Sequence, residues 1–317
     1  ENALRLPGKP FPEPLDVTSN LAVATAAPIL LLAVPMQQLA RFAEENKAQF
    51  QQKTLVSCCK GVDLKTGRGP IAVLEDTVPD ATVAILSGPS FAVDIADGLP
   101  TALTLATRDK AVAVALQTRL STDNIRLYTS LDPVGVEFGG ALKNVIAIAC
   151  GLAIGAGFGE SARAALMTRG FAEMQRLAVK QGADPMTLAG LSGFGDLVLT
   201  CTSVKSRNYQ HGIAIGAGTV PDAKATVEGV KTAQAIAATA DPDLMPVTCM
   251  VAALLQGKVS LDQAIDLLRH KQFVYRRFID DKTVLRADFS EIANATFREL
   301  RPFFDYMSYI LTTDSNG

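Results

Sequence analysis

The chain has 317 residues and a formal net charge of -2, with 30 basic against 32 acidic side chains. So even a balance gives no long-range attraction to nucleic acid or an anionic membrane, so a small molecule is the expected partner. The length allows two hydrophobic cores, and the apolar run from Ile29 to Val34 is far shorter than the roughly 20 residues that cross a bilayer.

The chain opens on Glu1 rather than Met and shows no signal peptide, so a cytoplasmic location is the expectation. Over the first 130 residues, short runs rich in β-branched side chains predict strands at 29–34, 54–58, 82–86, 102–106 and 125–128. Helical patterns such as Met36 to Phe50 separate several of them, leaving room for right-handed crossovers. The pattern predicts a doubly wound, largely parallel sheet of the Rossmann type over residues 1–131.

At Asp132-Pro133 the character changes, because an acceptor side chain followed by a ring with fixed φ starts a helix. An all-helical domain is expected over 132–272. It holds an apolar helix from Pro133 to about Leu152, an amphipathic one from Ser161 to Gln181 stopped by Gly182, and another begun by Asp184-Pro185. Ser260-Leu261-Asp262-Gln263 reads as a capping box ahead of the stripe from Ala264 to Leu268. Residues 273–317 form a separate tail, where nine of the chain's aromatic residues fall between Phe273 and Tyr309.

The five cysteines show no CxxC spacing, and His211 and His270 have no spaced partner, so neither disulfide nor metal is expected. Acid and base chemistry then falls to other side chains. Lys143 is conspicuous in Gly139-Gly140-Ala141-Leu142-Lys143-Asn144, an apolar helical run whose glycines allow a flat ring or another backbone to approach. A close helix contact with a snorkelling lysine satisfies the same pattern. Lys60 follows the second strand and Ser87-Gly88-Pro89-Ser90-Phe91-Ala92 ends the third, which puts both at the carboxyl edge where such sheets bind ligands. Asp196 and Thr200 lie one turn apart, and Ser206-Arg207-Asn208 begins a helix whose free amides and guanidinium suit an anion.

In this order the motifs resemble bacterial NAD(P)-dependent glycerol-3-phosphate dehydrogenase, from about Glu1 to Leu268. They include Asn2 with Leu6-Pro7-Gly8, Leu32-Ala33-Val34-Pro35, Gly195-Asp196-Leu197, Thr200-Cys201-Thr202-Ser203 and Val227-Glu228-Gly229. The resemblance implies reversible reduction of dihydroxyacetone phosphate to glycerol 3-phosphate for phospholipid synthesis, with NAD or NADP as cofactor and a homodimer as assembly. It makes Lys143 the proton donor and acceptor, with Asp196 and Lys60 beside it. Lys60, Gly88, Ser90, Asn144, Asp196, Thr200, Ser206, Arg207 and Asn208 would line the substrate site. Lys60, Ala92, Arg207, Thr226 and Glu228 would meet the cofactor.

Two features depart from the family. Its usual opening strand, GxGxxG turn and helix do not precede Glu1, and Gly151, Gly155, Gly157 and Gly159 follow a helix and offer no replacement. A chain beginning at Glu1 is expected to bind dinucleotide poorly. Thr226 stands where an apolar residue is usual, and the 273–317 tail matches nothing in the family. A related hydroxyacid dehydrogenase and a non-catalytic remnant stay open as alternatives.

Overall fold

Five strands form where the β-branched runs predict them: β1 Ile29–Leu32, β2 Thr54–Ser57, β3 Thr82–Ser87, β4 Thr101–Ala106 and β5 Ile125–Ser130. They lie in one sheet in the order β1-β2-β3-β4-β5. The computed structural model describes residues 2, 6–11, 15–222 and 227–264, within a unit that spans Glu1–Phe273. Thr226, the end of the Ala264 to Leu268 stripe and the 273–317 tail lie outside the described residues.

Thirteen α-helices join the strands among the described residues. The sheet carries α1 Leu21–Ala24, α2 Met36–Glu45, α3 Lys47–Phe50, α4 Pro70–Thr77, α5 Ala92–Ala96 and α6 Lys110–Leu120. After β5 come α7 Pro133–Gly155, α8 Gly159–Lys180, α9 Pro185–Ala189, α10 Asp196–Thr202, α11 Arg207–Gly216, α12 Glu228–Ala237 and α13 Pro246–Leu255. A π-helical turn, Leu191–Gly195, runs directly into α10. The helix expected over 36–50 is broken at Asn46, whose backbone leaves helical geometry.

Both faces of the sheet are covered, as period-two alternation demands. Leu55, Val83 and Ile85 pack with Leu39, Ile71 and Leu74 of α2 and α4, while Val56, Ala84, Leu105 and Leu127 pack with Leu116 of α6. Three strand pairings are parallel, but β3 and β4 run antiparallel, with Ser87 opposite Thr104. Helix length explains the exception. A five-residue α5 rises only about 7.5 Å, too little to return along a strand of about 20 Å, so β4 starts at the edge where β3 ends.

Helix α7 is the axis of the helical half. Its 23 residues are long and apolar enough to cross a membrane, yet 89% of its most apolar window is buried inside the protein, packed by α8, α10, α11, α12 and α13. The caps read from sequence are formed: Asp132 accepts from the Gly135 amide, Asp184 from Met186, and Ser260 and Gln263 cap each other reciprocally. Gly182 stops α8 with a φ of +88°.

The expectation that Gly151 and Gly155 follow a helix is corrected, since both lie inside α7. A Cβ on either would strike the backbone of α11, and a Cβ on Gly212 or Gly216 would strike the backbone of α7 at Ile148 or Leu152. The two helices thus run parallel in backbone contact, pairing 144 with 208, 148 with 212 and 152 with 216. Bare glycine on both sides is what permits that approach.

Candidate functional site

The site forms where α7 crosses the carboxyl edge of the sheet. Gly139 and Gly140 carry α7 against its neighbours: a Cβ on the first would lie 2.6 Å from the Ser192 carbonyl, and on the second 2.8 Å from the Ser87 hydroxyl at the end of β3. One turn on, the Lys143 ammonium donates to Oδ1 of Asp196 and, at 2.9 Å, to the Thr200 hydroxyl. Thr200 in turn donates to the Asp196 carbonyl at 2.6 Å. From the sheet, Lys60 donates to the other Asp196 oxygen at 2.6 Å and to the Gly88 carbonyl at 3.4 Å.

Two cations therefore share one carboxylate whose exposure is 0%. Burial in low dielectric opposes charge, and the two lysines respond differently. Lys143 is pushed down to about 7, first by burial and then by repulsion from Lys60, against the pull of Asp196. Burial also opposes charge on Lys60, but attraction to Asp196 outweighs it and holds that lysine above its usual value. A fifth of the Lys60 side chain stays exposed. The ammonium charge is thus held at Lys60, and Lys143 is left as the amine that titrates near neutrality.

The second half of the site is built by α11. Ser206 is buried and caps this helix, accepting from Tyr209 at 3.2 Å, while Arg207 is exposed at its first position. Asn208 donates to the Asn144 side chain at 3.0 Å and accepts from the Gly229 amide at 3.0 Å. It joins the residue after Lys143 to the residue after Glu228. Burial raises the Glu228 carboxyl, while Arg207, Lys60 and Lys143 all pull it back, so one acid at the start of α12 feels all three cations.

Of the expected residues, Lys60, Gly88, Lys143, Asp196 and Thr200 form one hydrogen-bonded group. Ser90 bonds the same Gly88 carbonyl that Lys60 does, at 3.4 Å, and Ala92 is exposed at the start of α5. Gly88 has a φ of +150° and packs so closely on β4 that a Cβ would lie 3.1 Å from Leu103 Cα. The structure commits part of the Asn144 and Asn208 amides to each other, so these two also carry the frame.

Three frame residues escaped the sequence reading. Lys205 pairs with Asp94 at 2.7 Å and ties α5 to the turn before α11. Glu137 and Glu173 reach across to cap α4 and α13. Pro at the first position of each of those helices, with no capping side chain before it, was the available signal.

The residues also fit a dinucleotide. The first turn of α2, after β1, has no side-chain cap, so leading amides stand free for an anionic group at the same sheet edge. Glu228 at the start of α12 feels Arg207, Lys60 and Lys143, which sets one acceptor among three donors.

Comparison with known proteins gives matches along most of the chain. The family model described as NAD-dependent glycerol-3-phosphate dehydrogenase N-terminus matches residues 1–113, and the one for its C-terminus matches residues 132–266. A third, described as a conserved hypothetical protein, DUF2461, matches residues 256–306. A relative named glycerol-3-phosphate dehydrogenase [NAD(P)+] from Ruegeria sp. (strain TM1040) is 58% identical over 270 residues, 84% of each chain. One of the same name from Cereibacter sphaeroides is 57% identical, covering 81% of this chain and 85% of its own. A crystal structure of glycerol-3-phosphate dehydrogenase from Coxiella burnetii aligns with a TM-score of 0.79 at 34% identity over 84% of each chain.

Proposed function

Because the chain belongs to the NAD-dependent glycerol-3-phosphate dehydrogenase family, we propose that it interconverts dihydroxyacetone phosphate and glycerol 3-phosphate with NAD or NADP. The supporting observation is the Lys143 amine, buried, tuned to about 7 and held by Asp196 and Thr200. A bound nicotinamide supplies or accepts the hydride at the carbinol carbon.

The chain's own residues do the rest. Lys143 nitrogen has four tetrahedral positions, of which one is its own carbon and two are turned to Asp196 and Thr200. The remaining one gives its proton to the oxygen as negative charge builds there, and takes it back in the reverse direction. Lys60 supplies a fixed positive charge beside that oxygen, and Asp196 orients both lysines. Arg207, with Ser206 and the free N–H of Asn208, grips the phosphate at the start of α11, where the helix amides favour an anion. Glu228 and Ala92 meet the cofactor.

We further assign the division into residues 1–131, 132–272 and 273–317 and a cytoplasmic location, both read from the sequence, and, from the resemblance, a role in supplying phospholipid backbones and a homodimeric assembly. The assay follows NAD(P)H absorbance with dihydroxyacetone phosphate. Oxidation of NAD(P)H by the full chain supports the reading. Preference for a non-phosphorylated hydroxyacid overturns the Arg207 assignment, and tight NADH binding in a calorimetric titration excludes a non-catalytic remnant.

A further inference from the structure

We propose that Glu137 is a positioning residue: from the helix that bears Lys143 it grips the far end of the segment that bears Lys60, and so sets the two lysines across Asp196. The inference rests on reading those lysines as the working pair of the proposed reaction.

Lys60 lies between the end of β2 and the start of α4. The near end of this segment is fixed by the sheet, since the Cys58 amide donates to the Leu32 carbonyl at 2.9 Å. Its middle is braced on α2, where the Gln37 side chain holds the Val62 carbonyl at 2.7 Å and the Leu64 amide at 3.1 Å. At the far end, Gly69 has no side chain with which to cap α4. Glu137 does it from α7, accepting from the Ile71 amide at 3.0 Å. Gly69 makes the room, because a Cβ there would fall inside the Glu137 carboxyl.

A serine or aspartate at position 69 would cap α4 locally. Capping from another element instead joins the Lys60 segment to the Lys143 helix, at a second point besides Asp196. Glu137 is 5% exposed, and among the described residues no cation bonds it. Arg108 is held by Glu75 through bonds of 2.8 and 3.2 Å, and Arg68 by Asp76. Burial raises Glu137 to about 7; the Ile71 amide opposes that, Glu75 and Asp132 add to it, and Arg108 draws it back. Arg68 also faces it across the α4 start. A carboxyl that burial raises to about 7 holds its proton more tightly in the closed clamp than when opened to water, so ionisation loosens the grip as pH rises through 7.

The test uses the full chain and the variants Glu137→Gln and Gly69→Ala. Hydrogen exchange at the Ile71 amide, corrected for intrinsic rates, is expected to quicken between pH 6 and 8 in the parent and to lose that pH dependence in Glu137→Gln. Gly69→Ala is expected to lose protection throughout. KM for dihydroxyacetone phosphate is expected to rise in Gly69→Ala by roughly three- to tenfold, the size of one buried hydrogen bond, at pH 6 and pH 8 alike, and in Glu137→Gln to match the parent at pH 6 and fall below it at pH 8. Ile71 protection independent of pH in the parent, an unchanged KM in Gly69→Ala, or kcat/KM lowered equally at both pH values in Glu137→Gln overturns the proposal. A parent that protects Ile71 as expected yet turns over no phosphorylated ketone overturns the proposed reaction and leaves the clamp standing.

Discussion

Lys60 and Lys143 bind opposite oxygens of the single Asp196 carboxylate, one reaching from the sheet edge and the other from the central helix. Attraction to Asp196 outweighs burial at Lys60, while burial and repulsion from Lys60 prevail at Lys143, so one holds charge and the other exchanges it.

Removing the shared anion is therefore expected to do more than remove either bond. Asp196→Asn leaves the Lys60 ammonium without its buried counter-charge, and a buried pair broken this way costs about 3–5 kcal/mol. The Lys143 pKa is expected to fall further below 7, because its largest stabilising partner is gone. Denaturant unfolding and the pH profile of kcat check both, and an unmoved profile would detach Asp196 from Lys143.

Lys143→Met is expected to lower kcat by about 100- to 10,000-fold, the range for loss of a positioned proton donor. In the parent, the sign of the pH dependence follows from the pKa near 7. Ketone reduction needs the protonated amine, so its rate falls as pH rises through 7. Alcohol oxidation needs the free base and its rate rises there. Steady-state rates in both directions decide it, and parallel profiles would exclude this role.

Arg207 stands at an exposed helix start, which suits recognition of phosphate. Arg207→Ala is expected to raise KM for dihydroxyacetone phosphate by roughly 10- to 100-fold, equivalent to a charge-assisted contact of about 1.5–3 kcal/mol, with a smaller change in kcat. Arg207→Lys restores charge without the bidentate fork and should recover only part. An unaltered KM moves the phosphate elsewhere.

Gly151→Ala tests the glycine contact that carries α11 onto α7. The added methyl meets the Tyr209 carbonyl and Gly212 backbone, which no rotamer change relieves. Overpacking of about 1–3 kcal/mol or more then exceeds the gain of about 1 kcal/mol in helix propensity. A lower Tm with raised KM is the expected pair of results, whereas a higher Tm would mean the helices separate without strain.

Glu173→Ala is expected to destabilise the fold by about 2–4 kcal/mol, since it strands the Val247 and Thr248 amides, now bonded at 2.6 and 3.0 Å, in a buried helix start. Glu173→Gln keeps an acceptor and should lose less. Guanidinium unfolding measures both, and equal losses would show that charge rather than geometry holds α13.

The strands, the Asp132 cap and the Ser206 cap were legible in the sequence because each depends on residues close in the chain. Alternation places Leu55 and Val56 on opposite sheet faces whatever surrounds them, and an acceptor before a helix meets amides two or three residues on. Lys60, Asp196 and Arg207 were likewise visible as polar groups at predicted element ends, and Lys143 as a lone charge inside an apolar helical run. What they do to one another was not. The antiparallel β4 turned on the length of α5, and the backbone contact of α7 with α11 needed the spacing of Gly212 and Gly216 to be matched against that of Gly151 and Gly155. The unequal lysines and the Glu137 cap arise from burial and from charges distant in sequence. Electrostatic energy depends on separation and dielectric, and both are set only once the chain has packed.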